Sequence, residues 1–189
     1  LHTKNDFIKA RAETDSSALK KRFMNDEIYR KNLPNNSSCK SLYSIAEKIR
    51  CECLGGKMLK GIQKNFKENY SQIINTKRKD QLKSKDDVSV IEAFELYMLK
   101  NFHDVKLNTL SSKMLGFWEN DFNKSIDQHI KFLKDNLNDQ NKYSSKFSEI
   151  LQEMDIFQTE NEDETSNENE NDGQDNQSKE DQNSQNDDN

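Results

Sequence analysis

The chain has 189 residues, the length of one domain with an appendage, and only 31% of them are hydrophobic against 33% charged. The charge is uneven: the whole chain carries −5, residues 159–189 carry −11 from twelve Asp/Glu and one Lys, and residues 1–158 therefore carry +6. No signal-peptide pattern and no apolar run of about 18 residues is found in the sequence, so neither secretion nor a membrane span is expected, and a cytoplasmic protein is the expectation.

In chain order, Ile8, Ala12, Leu19 and Phe23 fall on one face of a first helix. The segment "NLPNNSS", with the only proline at Pro34, breaks it, and Ser37 or Ser38 is the expected cap of the next helix. That second helix runs through Leu42, Ile45, Ala46 and Ile49 towards Ile74. A basic polar stretch, "TKRKDQLKSK", follows, and Asp86 or Asp87 is the expected cap of a third helix striped by Val90, Ile91, Phe94, Tyr97, Met98 and Phe102. After a turn near Asn108, a fourth stripe runs Leu110, Met114, Phe117, Trp118, Phe122, Ile126, Ile130 and Leu133. A fifth uses Tyr143, Phe147, Ile150, Leu151 and Met154. No segment alternates with period two. The fold class expected is therefore all-α: a helical bundle of about five helices over residues 1–158, followed by a disordered acidic linker or tail over 159–189. The tail holds no aliphatic, aromatic or sulfur-bearing residue, so nothing offsets the entropy of ordering it.

The second helix holds a puzzle. Three of the five glycines, Gly55, Gly56 and Gly61, lie in it, and each costs about 1 kcal/mol relative to alanine in a helix interior. On a helical wheel, Leu42, Ile45, Ala46, Ile49 and Cys53 cluster on one side. Met58, Leu59, Ile62, Phe66, Tyr70 and Ile73 cluster on another, so the apolar face jumps sideways at the glycines. Either the helix breaks at Gly55–Gly56, or it continues and Gly55 lets a neighbour approach closely. If it continues, Glu47, Arg50, Leu54, Gly61 and Asn65 share a sector. Glu47 and Arg50 then form either a buried ion pair or an incidental pair on a solvated face.

The pattern E-x-x-R-x-E-x-x-G-x(5)-G-x-x-x-N, made by Glu47, Arg50, Glu52, Gly55, Gly61 and Asn65, resembles the N-terminal region of the CobT subunit of aerobic, ATP-dependent cobaltochelatase. The segments "FMNDEIYRKNLPNN", "VIEAFELYMLKNF", "KMLGFW" around Trp118, and "FSEILQEMDIF" before the acidic tract follow the family's order, so that the resemblance spans about residues 10–175. It implies a role in inserting Co²⁺ into hydrogenobyrinic acid a,c-diamide on the route to cobalamin. A AAA+ ATPase chelatase subunit and a large tetrapyrrole-binding subunit are the implied partners. The complex would use ATP, Mg and cobalt, with no cofactor bound by this chain. The family's usual layout adds a von Willebrand A-like domain after the acidic linker, and this sequence stops in the linker without a D-x-S-x-S segment. Together with the opening Leu1, that gives the expectation of a fragment or a truncated gene. Cys51 and Cys53 stand where small apolar residues are usual. Glu47, Arg50, Glu52, Gly55, Gly61, Asn65 and Trp118 are the candidate interaction or structural residues.

No catalytic, cofactor-binding or metal-ligating residue is expected. His2, His103 and His129 are scattered, and Asp127 and His129 do not share a helix face. Cys51-x-Cys53 has the wrong spacing for a zinc knuckle, and the third thiol, Cys39, leaves an odd count, so reduced cysteines are expected. "CLGGKMLKG" lacks the order of a phosphate-binding loop. Met58, Met98, Met114 and Met154 read as core. Lys77, Arg78, Lys79, Lys83 and Lys85 lack interleaved aromatics and read as a solvated linker rather than a nucleic-acid surface. A different class remains open: a helical protein-interaction module or acidic chaperone-like protein, or a degenerate remnant without chelatase activity.

Overall fold

The structure is a computed structural model that describes residues 3–76, 82–154 and 157. All regular structure among them is helical. The expected disorder of residues 159–189, and Lys77, Arg78 and Lys79 of the basic stretch, lie outside the described residues.

Helix α1 (Lys4–Phe23) starts from a capping box in which Thr3 and Asp6 each accept the other's backbone N–H. After the short α2 (Asp26–Lys31), α3 (Ser37–Met58) forms the axis of the fold. It packs against α1, α5 (Val90–Phe102) and α9 (Gln140–Gln152), and against α4 (Lys60–Thr76), which turns back along it. Helices α6 (Thr109–Gly116), α7 (Glu119–Ile126) and α8 (Ile130–Asp135) lead from α5 to α9. Because α3 is covered on several sides, Leu42, Tyr43, Ala46 and Ile49 are fully buried. On the far side of the axis, Phe94, Tyr97, Phe122, Tyr143 and Phe147 pack ring to ring with centroids 5.2–6.2 Å apart. Each such buried ring contributes roughly 1.5–3 kcal/mol through the area it removes from water.

The expected stripes on α5 and α9 are present, except that Ile91, in the first turn of α5, is exposed rather than part of the packed face, and the second and fourth expected helices are divided. The second breaks at Leu59, which is extended (φ −135°, ψ 107°), so the sideways jump of the apolar face is a break between α3 and α4. Met58 and Leu59 therefore point outward, 53% and 56% exposed, and Met58 is not the core residue its stripe suggested. The fourth expected helix is cut after Gly116 and again at a 3₁₀ turn, Asp127–His129. Two caps also differ. Asn36, not Ser37 or Ser38, caps α3, its carboxamide accepting the N–H of Cys39. Ser89, not Asp86 or Asp87, caps α5 by a capping box with Glu92, while Asp87 accepts the N–H groups of Lys83 and Ser84 in a preceding 3₁₀ turn. No helix among the described residues is long and apolar enough to cross a membrane.

Candidate functional site

Helix α3 carries three charged residues that the bundle buries almost completely: Glu47 and Glu52 at 2% exposure and Arg50 at 1%. Burial of charge is costly unless every polar group finds a partner. The partners form two clusters, one on each side of the axis.

Arg50 organises the first. Its Nε donates to Glu47 Oε2 at 3.2 Å, its Nη1 to the Leu137 carbonyl at 3.0 Å, and its Nη2 to the Phe23 carbonyl at 2.8 Å. Phe23 ends α1, and Leu137 follows α8, so the guanidinium supplies donors and positive charge where helix ends leave carbonyls unpaired. Glu47 in turn accepts from Ser144 Oγ and, at 3.4 Å, from Gln140 Nε2, both on α9. Gln140 also grips the backbone of Asn25, accepting its N–H at 2.7 Å and donating to its carbonyl at 3.2 Å. Burial pushes the Glu47 carboxyl above the usual carboxylate range, against the opposing pull of Arg50 and Ser144.

Glu52 organises the second cluster. It accepts from Ser16 Oγ of α1 at 2.7 Å and from Tyr70 Oη of α4 at 2.7 Å, and His103 Nε2, at the end of α5, lies 3.0 Å away. Burial pushes this carboxyl up as well, but the hydrogen bond and charge of His103, helped by Lys48 and Ser16, outweigh burial and hold it below the usual range. Tyr70 is pushed far up by burial and by the neighbouring Glu52 charge, which keeps its hydroxyl a donor. Asp104, directly after His103, adopts a left-handed conformation (φ 52°), and the N–H of Val105 closes the turn on the Leu99 carbonyl at 3.2 Å.

Above the Glu52–His103 pair is a cavity of about 200 Å³ that also meets Cys53, Lys57 and Lys134. Burial, then the Glu52 charge, pushes the Cys53 thiol up to about 12, so it is not a nucleophile at neutral pH. Its Sγ donates to the Phe102 carbonyl at 3.6 Å. All three cysteines are free thiols, and no group of three His, Cys, Asp or Glu among the described residues is placed to hold a metal.

The remaining candidates scatter. Gly55 is pressed under Leu19 of α1: a Cβ there would meet the leucine methyls at 2.4 Å. Gly61 lies beyond the break, exposed, with open space around it, so it does not join the sector that a continuous helix would have made. Asn65 donates to Asp15 at 2.9 Å and helps hold α4 on α1. Trp118 takes no part in either cluster. Its Nε1 donates to the Val88 carbonyl at 2.8 Å, Lys85 sits 4.0 Å over its ring, and it stacks on Phe122.

The family model described as "Cobalamin biosynthesis protein CobT" matches residues 2–189. The chain belongs to the CobT family. Neither the curated proteins nor the solved structures yielded a match. In this CobT-family chain, the charged residues of the E-x-x-R-x-E pattern face inward and bind helices to one another. Sequence reasoning found Glu47, Arg50 and Glu52 but missed their partners Ser16, Tyr70, His103, Gln140 and Ser144. Ser144 had a faint signal, a small polar residue beside two stripe positions of α9, and His103 another, a base at a helix C-terminus.

Proposed function

We infer that this chain is a non-catalytic assembly subunit of ATP-dependent cobaltochelatase. It would couple a AAA+ ATPase subunit to a large tetrapyrrole-binding subunit during insertion of cobalt into hydrogenobyrinic acid a,c-diamide. Family membership supports the pathway, and one structural observation supports the non-catalytic role. The charged residues of the family-like pattern are consumed in holding α1, α3, α4, α5, α9 and the end of α8 together, with Arg50 alone joining α1, α3 and the end of α8. Such a frame gives a rigid helical body, the physical requirement for transmitting a conformational change between two partners. ATP and Mg would be held by the ATPase, and cobalt is the substrate of the complex. The setting is cytoplasmic.

The test is co-expression with a AAA+ ATPase chelatase subunit and sizing of the product. Co-elution in a complex larger than either protein alone, with ATP-dependent cobalt insertion once the large subunit is added, is the expected result. A chain that elutes alone with and without nucleotide contradicts the reading.

A further inference from the structure

The cavity of about 200 Å³ above the Glu52–His103 pair lies where four helices meet: the ends of α3, α5 and α8 and the start of α4. His103 is 5% exposed and uses only one ring nitrogen inside the protein. Its Nε2 lies 3.0 Å from Glu52 Oε2, while Nδ1 has no hydrogen-bond partner among the described residues. Nor is Nδ1 sealed in, because Tyr97 Oη is the one fully buried side-chain nitrogen or oxygen among them that lacks a partner. The unused ring nitrogen therefore opens onto space, and the cavity is space that His103 lines. A nearly buried polar atom without a partner is costly, so a partner supplied from outside is favoured.

The rim supplies charge. Lys57, Gln63 and Lys134 line it, and neither ammonium forms an ion pair among the described residues. Burial and the Glu52 charge raise the Cys53 thiol, the charges of Lys57 and Lys134 pull against them, and Asp104 adds to the rise, so these charges surround one space. Once Glu52 and His103 are paired, two ammonium groups face one carboxylate, that of Asp104, and the balance is positive. Basic residues at helix C-termini also offset the helix dipole, which accounts for the lysines but leaves Nδ1 unserved. The volume of about 200 Å³ lies below the ~300–1,000 Å³ of pockets for larger organic ligands, which limits an occupant to a handful of atoms.

We propose that this cavity binds a small oxyanion, a phosphate or carboxylate group, which accepts from His103 Nδ1–H, from the Gln63 amide and from the Lys57 and Lys134 ammonium groups. With Nε2 held by the Glu52 carboxylate, an anion at Nδ1 places the ring between two negative charges, the arrangement in which both ring nitrogens donate. The bound anion ties the ends of α3, α5 and α8 to α4. This proposal does not depend on the chelatase reading.

The test is ¹H–¹⁵N NMR of the imidazole ring in the full chain carrying His2→Gln and His129→Gln, which leaves His103 as its only histidine. Sodium phosphate and sodium acetate are titrated separately at constant ionic strength. The expected result is saturable movement of Nδ1 towards the protonated donor, with a Kd of about 0.1–10 mM for at least one of the two. The tighter of them tells a phosphate site from a carboxylate site. Adding Lys57→Gln and Lys134→Gln, both exposed positions, should leave the melting temperature unchanged and weaken binding at least about tenfold. Adding Lys9→Gln and Lys142→Gln instead, exposed lysines that do not line the cavity, should leave binding as it was. No saturable movement with either anion up to about 50 mM overturns the proposal. So does movement that the rim variant leaves intact, or that the control variant weakens as much.

Discussion

Glu47 and Glu52 sit five positions apart on one helix, equally buried, and the fold treats them oppositely. Glu47 faces a guanidinium already shared with two backbone carbonyls, so burial wins and its carboxyl is pushed up. Glu52 is buried as well, but the hydrogen bond and charge of His103, with Lys48 and Ser16, outweigh burial and its carboxyl is held down. The pair teaches that exposure alone does not set the protonation of a buried acid. Each acid has three side-chain partners, so what counts is the charge those partners carry and how many other acceptors share them.

The most damaging way to break this comparison is Arg50→Met. It strands Glu47 and the Phe23 and Leu137 carbonyls, and should cost about 3–5 kcal/mol of unfolding free energy by urea denaturation. Glu52→Gln removes the acceptor of the second cluster and should cost about 1–3 kcal/mol. It should also reshape the pH profile. A depressed carboxyl lends stability that is full above its unfolded range and lost as pH falls through its lowered folded value, so Glu52→Gln should flatten the acid limb of melting temperature against pH. Glu47 has the opposite sign. Its stability contribution is present below the unfolded range and eroded as pH rises through its raised folded value, so Glu47→Gln should leave the acid limb in place.

The glycines sharpen the contrast on a smaller scale. Gly55→Ala gains about 1 kcal/mol of helix propensity but drives a methyl into Leu19, an overpacking of about 1–3 kcal/mol, for a net loss of about 1. Gly61→Ala touches neither cluster and meets nothing within 4 Å, so it should stabilise by about 0.5–1 kcal/mol. Thermal melts of the two variants should therefore move in opposite directions.

Much of this was legible before any coordinates. Long, clean stripes placed α5 and α9, and the i,i+3 spacing of Glu47 and Arg50 raised the buried pair as one of two options. The sideways jump of apolar residues at the glycines flagged a discontinuity but could not locate it at Leu59, because Gly55 was needed for a different reason, the approach of Leu19. Caps were ambiguous where several capping residues stand in a row, as in "PNNSS" and "KDDVS". The partners of the clusters were not legible. Two of Arg50's acceptors are backbone carbonyls, which carry no mark in the sequence, and Glu52's partners lie 36, 18 and 51 positions away.

The most direct measurement is a double-mutant cycle on Glu47→Gln and Arg50→Met, read as unfolding free energy of the full chain. If the charged residues of the pattern form an internal frame, the double variant should cost about 2 kcal/mol less than the sum of the single ones, because each single change leaves a buried group stranded. Strict additivity, or single variants within about 0.5 kcal/mol of the parent, would contradict it.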